Sequence, residues 1–309
     1  MRLIAGDIGG TKTILRLIEG DQVRTEQRYD SAAYATFDAL LQEFLSANGG
    51  ATIDAGCFAV AGPVIGERAD VTNLKWVIEC QALVRDFPIR RLSLINDFFA
   101  IGLGVPLLQP GDLLSIHPGL RRRGEPVAIL GAGTGLGEAF VTFAGERWTV
   151  LPSEGGHADF APQDQRQAAL FVALHQLYGH VSWERVLSGM GLENIYRFLS
   201  GRDADPAEIA GKASAGDDAA GEAMEIFVDI YGAEAGNMAL RLLSRGGVFL
   251  AGGIAAKNVS WFTDGRFVAA FLRKGRFHEL LGEMPVDLIT NERVGLIGAA
   301  ELARRIATE

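Results

Sequence analysis

The sequence predicts an α/β protein with two lobes, and three observations lead to that prediction. Short apolar runs typical of buried strands alternate with stretches whose apolar residues recur at helical spacing. A strand, a glycine turn and a second strand occur twice, around Asp7–Gly10 and around Gly131–Gly137. A stretch rich in Pro, Gly and Arg, Pro106–Pro126, separates the two patterns. With 309 residues, 48% of them hydrophobic, the chain is long enough to bury a core and form a cleft.

The first lobe is predicted from five segments. Met1–Gly6 and Thr13–Ile18 are apolar strands around a glycine turn, which indicates a hairpin. Tyr34–Ala47 carries apolar residues on one helical face, which indicates a helix that covers the sheet. The compact apolar runs Gly56–Ala61 and Leu92–Ile95 are typical of buried parallel strands. Strands and a covering helix together make an α/β lobe.

The second lobe is predicted to begin at the second glycine pattern. Val127–Leu130 and Glu138–Phe143 are strands on either side of that pattern, and Gly247–Ala251 is a further strand. Val294–Ala307 is a terminal helix that returns to the first lobe. Three helical stretches are predicted in between: Arg166–Tyr178, Trp183–Leu199 and Glu222–Arg245. The predicted domains are a small one, 1–106 with 295–309, and a large one, 107–294.

Composition excludes several classes of function. The chain has 38 acidic and 29 basic residues and a net charge of −9, which argues against a nucleic-acid partner. Its one tight basic cluster, Arg121–Arg123, is interpreted as a solvated loop. Two isolated cysteines, Cys57 and Cys80, exclude a disulfide framework and a multi-cysteine zinc site. Without a signal peptide or a long apolar run, the protein is expected to be soluble and cytoplasmic, with no membrane partner.

The segment Asp7–Thr13, D-I-G-G-T-K-T, is the strongest local motif. Its glycines let backbone N–H groups approach an anion, Thr11 and Thr13 add hydroxyl donors, and Asp7 could hold a hydrated Mg²⁺. The motif is therefore interpreted as a phosphate-binding hairpin, although a plain tight turn has the same residues. Lys12 either adds positive charge there or is solvated at the hairpin edge.

Two further glycine motifs follow strands. Gly131–Gly137, G-A-G-T-G-L-G, resembles a dinucleotide fingerprint, but strand-forming residues follow it where that fingerprint needs a helix. A second phosphate hairpin is the favoured interpretation. Phe249–Ile254 is a buried strand that ends in Gly252 and Gly253, where a flat adenine ring could lie against bare backbone. An ordinary turn between a strand and a helix is the alternative.

Polar residues at two places could hold and activate a substrate. Asn96 and Asp97 end a predicted strand, where Asp97 could accept a hydroxyl proton and Asn96 could orient the same substrate. The alternative is that Asp97 caps the next helix. Glu154 and His157 flank two glycines and offer a carboxylate and a ring nitrogen to a polar ligand. A zinc site there is disfavoured, because no cysteine or helical H-E-x-x-H arrangement accompanies them.

Together these motifs resemble the bacterial glucokinase family of the hexokinase, actin and Hsp70 ATPase superfamily. The resemblance runs nearly from end to end. It also includes five further blocks: A-G-P-V (Ala61–Val64), T-N-L-K-W (Thr72–Trp76), I-N-D-F (Ile95–Phe98), L-P-S-E-G-G-H-A-D-F-A-P (Leu151–Pro162) and G-H-V-S-W-E-R-V-L-S-G (Gly179–Gly189).

The resemblance implies ATP-dependent phosphorylation of D-glucose to glucose 6-phosphate, with Mg²⁺, by a homodimer. It also implies an actin-like ATPase fold, related to ribonuclease H, with a central cleft between two lobes. By motif, Asp97 matches the catalytic base. The residues that match sugar ligands are Asn96, Asp97, Glu154, His157 and Glu184. Those that match nucleotide motifs are Gly6, Asp7, Ile8, Gly9, Gly10 and Thr11, then Gly131, Gly133, Thr134 and Gly135, then Gly252 and Gly253, with Asp7 also facing Mg²⁺ through water.

Glu184 has no local signal, since a Glu at a predicted helix start is usually solvated or capping. The Cys-rich zinc segment of related repressors and sugar kinases is missing, which favours the zinc-free branch. The stretch Trp76–Leu92 looks short, which leaves substrate breadth open. The alternatives are a hexose kinase of broader specificity, a non-catalytic sugar sensor or repressor, and an ATPase that acts on a protein partner.

Overall fold

The computed structural model describes residues 1–71 and 74–308, so Thr72 and Asn73 of the T-N-L-K-W block lie outside the described residues. Two compact units are present, Met1–Gln109 with Asn291–Glu309, and Pro110–Thr290. The strands are β1 (Arg2–Ile8), β2 (Lys12–Glu19), β3 (Gln22–Asp30), β4 (Ala55–Val60), β5 (Val64–Ile65), β6 (Arg68–Val71), β7 (Trp76–Glu79), β8 (Leu92–Asn96), β9 (Leu113–His117), β10 (Val127–Ala132), β11 (Leu136–Ala144), β12 (Arg147–Ser153), β13 (Gly247–Ala251) and β14 (Val286–Ile289). The helices are α1 (Phe37–Ala47), α2 (Cys80–Asp86), α3 (Asp97–Gly104), α4 (Gln165–Tyr178), α5 (Gly189–Ser200), α6 (Pro206–Ser214), α7 (Asp218–Leu242), α8 (Gly253–Lys257), α9 (Val259–Thr263), α10 (Arg266–Leu272), α11 (His278–Gly282) and α12 (Val294–Thr308).

The first unit is built on a five-stranded sheet of order β3-β2-β1-β4-β8. β1 and β2 form the predicted antiparallel hairpin, and β4 and β8 continue the sheet in parallel. The predicted helix is confirmed as α1, which begins at Phe37 rather than Tyr34 because the Thr36 hydroxyl caps it by accepting the Ala39 N–H. Three strands that the sequence analysis did not predict, β5 to β7, form a separate small sheet.

The predicted terminal helix is confirmed as α12, which packs on α3, β1 and β4. Glycines allow α3 and α12 to cross closely. A Cβ atom at Gly298 would lie 1.8 Å from the Ala100 carbonyl oxygen, and one at Gly104 would lie 2.2 Å from that of Val294. Only residues without a side chain fit this crossing, which fixes α3, and with it Asp97, against the sheet.

The second unit has a six-stranded sheet of order β12-β11-β10-β13-β14-β9. β10 and β11 form the second predicted hairpin, and β13 pairs with β10 in parallel. The 25-residue α7 is buried over much of its length. Gly232 and Gly236 allow α10 to approach it, because Cβ atoms there would lie 2.3 and 2.6 Å from the carbonyl oxygens of Phe267 and Phe271. These two glycines therefore permit close packing of α10 on α7.

One prediction for this unit is wrong. Trp183–Ser188 is a turn rather than the start of a helix, and α5 begins only at Gly189, where the Ser188 hydroxyl accepts the Gly191 N–H. Backbone bonds from this turn to residues 156 and 158 override its helical pattern. The cluster Arg121–Arg123 is an exposed loop, as predicted, in which the Arg121 guanidinium also lies 4.5 Å above the Phe249 ring centroid and donates to Asp287.

Both units combine helices with a mixed sheet, so the α/β prediction is confirmed. Within residues 1–71 and 74–308, no helix has the length and apolar character needed to cross a bilayer.

Candidate active site

The hairpin turn between β1 and β2 is braced by a serine. The Gly9 N–H donates to the Lys12 carbonyl at 2.9 Å. The buried Ser31 hydroxyl donates to the Gly9 carbonyl at 2.8 Å and lies 2.9 Å from Thr13 Oγ1. Because Thr13 is buried and bonded to Ser31, the prediction that its hydroxyl serves an anion is wrong. Thr13 and Ser31 instead hold the shape of the turn.

Gly6 and Asp7 lie on β1, just before that turn. A Cβ atom at Gly6 would lie 2.7 Å from the Phe58 ring, so packing alone requires a glycine here. Burial raises the pKa of Asp7, and the positive charges of Lys12 and Arg293 lower it by less. Lys12 forms an ion pair with Glu292, at 3.3 Å between Nζ and Oε2. Its positive charge is therefore partly neutralised by that carboxylate, and its side chain is not fully solvated.

Asp97 is the first residue of α3, and Asn96 caps that helix. The Asn96 side-chain oxygen accepts the N–H groups of Phe98 at 2.8 Å and Phe99 at 3.3 Å. Its amide nitrogen donates to the Gly62 carbonyl at 3.2 Å. The alternative in which Asp97 is the cap is therefore wrong. Asn96 ties the end of β8 to the A-G-P-V segment and so fixes the direction of Asp97.

The electrostatics of Asp97 suit a proton acceptor near neutral pH. Burial is the main cause that raises the pKa of Asp97 to about 6; the Phe98 N–H acts against the shift, and the carboxylate of Asp7 contributes to it. Asp97 Oδ1 accepts that N–H at 2.9 Å. Efficient general bases have pKa values close to the working pH. The carboxylates of Asp7 and Asp97 are therefore close enough for the charge of Asp7 to affect the ionisation of Asp97.

The second hairpin turn, between β10 and β11, is held by the turn 183–189. The N–H groups of Gly133 and Gly189 donate to the carbonyls of Gly135 and Gly133, both at 2.8 Å. Glu184 Oε2 accepts the Leu136 N–H at 2.9 Å. A Cβ atom at Gly135 would lie 2.5 Å from the same oxygen. Because β11 continues as a strand, the interpretation as a hairpin rather than a dinucleotide fingerprint is confirmed.

Three side chains predicted as sugar ligands come together beside this hairpin. His157 Nε2 lies 3.8 Å from Glu154 Oε2, and His157 Nδ1 lies 4.0 Å from Glu184 Oε1. The backbone fixes them, since the Glu184 N–H donates to the Gly156 carbonyl at 2.8 Å. Glu154 and His157 are exposed, whereas the Glu184 side chain is only 23% exposed. The group offers two carboxylates and an imidazole to a polyhydroxylated ligand.

The third glycine motif follows β13. Gly252 has φ +86°, and a Cβ atom there would lie 2.5 Å from the Ala132 carbonyl oxygen. A side chain is therefore disfavoured both by backbone conformation and by space. Gly253 begins α8. This motif therefore lies directly beside the end of β10, where the second hairpin turn begins.

Residues 4–306 match the profile of a protein family described as Glucokinase. The chain belongs to the glucokinase family. A curated glucokinase of Nostoc sp. is 42% identical, over 98% of this chain and 99% of its own length. The crystal structure of a glucokinase from an Antarctic psychrotroph has a TM-score of 0.90 at 30% identity and covers 98% of this chain and 99% of that one. The glucokinase of Balamuthia mandrillaris in complex with glucose shares the fold, with a TM-score of 0.81 at 22% identity over 98% and 93% of the two chains.

Membership of the glucokinase family confirms the predicted family and enzyme class. In this glucokinase-family chain, the first unit brings together the first hairpin, Asp7 and Asp97. The second unit brings together the second hairpin and the side chains of Glu154, His157 and Glu184. Sequence reasoning missed Ser31 and Gly189. Both residues form hydrogen bonds to backbone atoms that are distant in the chain, and such bonds leave no local pattern in the sequence.

A buried acidic pair, Glu138 and Glu234, lies beside the turn that carries Glu154 and His157. Glu138 on β11 is 2% exposed, and neither carboxylate oxygen has a hydrogen-bond partner within the described residues. A Cβ atom at Gly155 would lie 2.0 Å from Glu138 Oε2. Glu234 on α7 accepts from Asn237 at 2.8 Å and from Arg241 at 2.6 Å. Burial and, to a smaller extent, the Glu234 carboxylate together raise the pKa of Glu138 to about 7, against a lowering by Arg241.

We expect Glu138→Gln to stabilise the protein at alkaline pH. Because the folded-state pKa is raised, folded wild type loses stability as pH rises from the ordinary value of 4.5 to about 7. The variant has no carboxyl to ionise at this position, so its free energy of unfolding should exceed that of wild type by up to about 3 kcal/mol at about pH 8. Urea unfolding across pH measures the difference, which should close toward about pH 4. Glu154→Gln, the same change at an exposed site, should leave the free energy of unfolding unchanged at every pH. A difference between Glu138→Gln and wild type that is the same at all pH values would contradict the expectation.

Proposed function

We propose that this chain transfers the γ-phosphoryl group of ATP to the 6-hydroxyl of D-glucose, with Asp97 as the general base. The assignment of the base rests on the environment of Asp97 in this chain of the glucokinase family. Asp97 follows the end of β8 and is largely buried, and its pKa is raised to about 6. A carboxylate of that basicity can accept the hydroxyl proton as the oxygen attacks phosphorus. The products are glucose 6-phosphate and ADP.

The other residues would bind and orient the two substrates. Glu154, His157 and Glu184 would accept hydrogen bonds from sugar hydroxyls. A sugar that lacks the hydroxyl facing Glu184, the least exposed of the three, would leave that carboxylate without a partner and so bind less well. Asn96 would hold Asp97 in line through its bonds to α3 and Gly62. The backbone N–H groups of the two glycine hairpins would bind phosphate oxygens, and Gly252 and Gly253 would lie against the adenosine. Phosphoryl transfer depends mainly on such positioning and on charge neutralisation.

Asp7 is suited to hold Mg²⁺ through water. It is a largely buried carboxylate next to the first hairpin, and the raised pKa of Asp7 indicates that nearby Lys12 and Arg293 do not fully compensate its charge. Oxygen ligands and retained waters are what Mg²⁺ prefers. The ion would neutralise charge on the phosphates, while the chain itself supplies the base and the sugar ligands.

An assay of ADP release with ATP, Mg²⁺ and a panel of hexoses tests the proposal. We expect ADP release to depend on glucose and glucose 6-phosphate to accumulate in equal amount. Comparable rates with mannose or fructose would replace the glucose assignment by a broader hexose kinase. ADP release at the same rate with and without sugar would instead support an ATPase with a protein partner. Glucose binding without turnover would support a sensor.

We expect kcat/KM for glucose to rise with pH through about 6 and then to level off. The raised pKa of Asp97 means that the base is protonated, and inactive, below that value. Below the midpoint the rate should fall about tenfold per pH unit. The profile should be recorded at saturating ATP and Mg²⁺, with folding checked at each pH. Glu138→Gln is the control, because Glu138 titrates near the same range, and loss of the acid limb in that variant would assign the limb to Glu138 instead.

A further inference from the structure

Tyr231 on α7 reaches the ends of two strands that lead into nucleotide motifs. Its side chain is fully buried. The Ala132 N–H, at the end of β10, donates to the Tyr231 hydroxyl oxygen at 3.1 Å. The nearest acceptor for the hydroxyl proton is the Ala251 carbonyl at the end of β13, at 3.3 Å, and the Leu130 carbonyl of β10 is farther away, at 3.5 Å. Both hydrogen-bonding capacities of the hydroxyl are thus used to join the two strand ends.

The hydroxyl stands where the two strands separate. The parallel register of β10 and β13 ends with Gly131 opposite Ala251. One residue further on, the Ala132 N–H bonds to Tyr231 rather than to the neighbouring strand, and Gly252 turns away with φ +86°. The tyrosine therefore takes the place of the next bond of the ladder. From this point β10 runs into the turn Gly133–Gly135, and β13 runs into Gly252 and Gly253.

The ring is held so that the hydroxyl has little freedom to move. Phe227, Phe262 and Phe267 contact it edge to face, with centroid distances of 6.0, 5.3 and 6.0 Å. Gly252 also packs directly on Ala132, where a Cβ atom would lie 2.5 Å from the carbonyl oxygen. Burial also raises the pKa of Tyr231, which keeps the hydroxyl protonated.

We propose that Tyr231 is a positioning residue for the nucleotide: its hydroxyl fixes the spacing between the second phosphate hairpin and the adenosine motif without touching ATP. The inference rests on the proposed function, because it assumes that both glycine motifs bind the nucleotide. A phosphate group and an adenine ring joined in one molecule can be bound together only when their two subsites keep a fixed separation. Affinity for ATP therefore depends on the bridge, whereas affinity for glucose does not.

The test is Tyr231→Phe in the full chain. The change removes one oxygen and keeps the ring. We expect KM for ATP, and the Kd of AMPPNP measured by calorimetry, to rise about tenfold, which corresponds to roughly one buried hydrogen bond. The Kd of glucose should stay within about twofold of wild type. Tyr196→Phe makes the same change at an equally buried tyrosine of α5, and Leu192→Ala destabilises that helix without reaching the strand ends. Both controls should leave the Kd of AMPPNP unchanged at temperatures well below melting.

The outcomes separate this inference from the proposed function. Wild type that releases ADP only with glucose, together with an unchanged Kd of AMPPNP in Tyr231→Phe, overturns the positioning role alone. An equal loss of glucose and AMPPNP affinity also overturns it, because that is the result of general loosening of the unit. Wild type without glucose-dependent turnover overturns the kinase proposal, whereas the AMPPNP measurement still decides whether Tyr231 supports a nucleotide site.

Discussion

Asp97→Asn is expected to lower kcat by about three orders of magnitude or more, since general base catalysis contributes roughly 10²- to 10⁴-fold. Asparagine has the same shape and can still accept the Phe98 N–H, but its amide oxygen is a very weak base. The glucose site should therefore persist, with a Kd for glucose within a few-fold of wild type. Steady-state rates and calorimetric titration with glucose measure the two quantities separately.

The same substitution should make the protein more stable at alkaline pH. Burial raises the pKa of Asp97 from 3.8 to about 6 in the folded state, so the protein loses stability as pH rises through that range, and the loss is complete above it. Its removal should raise the free energy of unfolding by up to about 3 kcal/mol at about pH 8, and by little at about pH 4. A gain of stability with a loss of turnover is typical of residues kept for function.

The control for Asp97→Asn is Asp21→Asn, the same change at an exposed turn residue, which should alter neither turnover nor stability. Full turnover in Asp97→Asn would contradict the assignment of the base. A lost turnover accompanied by lost stability and lost glucose binding would indicate that Asp97 supports the fold rather than the chemistry.

The hairpins of the candidate site could be predicted from sequence because their signals are local. Glycines, strand-forming residues and short polar turns lie next to each other in the chain, and the two strand patterns around Asp7–Gly10 and Gly131–Gly137 become β1–β2 and β10–β11. Asp97 could be predicted for the same reason, since a polar pair directly after an apolar run marks a strand end.

Residues whose role depends on distant backbone could not be predicted. Ser31 braces a turn 22 residues away, and Tyr231 bonds to an N–H group 99 residues away. β3 was missed because most of its residues are exposed and polar, so it has no apolar pattern. At Trp183–Ser188, by contrast, the sequence has a helical pattern but the structure has a turn, because its backbone N–H groups bond to the carbonyls of Gly156 and Ala158.

Glu184→Ala is expected to raise KM for both substrates, glucose by about a hundredfold and ATP by about tenfold. In the proposed site one carboxylate oxygen faces His157 and the sugar, while the other accepts the Leu136 N–H at the end of the second hairpin. Truncation removes a charged acceptor for the sugar. It also leaves the Leu136 N–H unpaired and opens space beside Gly135, so the phosphate turn loses its support.

Glu184→Gln separates the two roles, because an amide oxygen can still accept the Leu136 N–H while the negative charge is lost. We therefore expect KM for glucose to rise about tenfold, as for loss of a charge-assisted bond, with KM for ATP unchanged. Glu154→Gln removes a charge from the same group without a bond to the hairpin, and it should raise KM for glucose only. If Glu184→Gln raised KM for ATP as much as Glu184→Ala does, the charge of Glu184 rather than its bond to Leu136 would be what the nucleotide site requires.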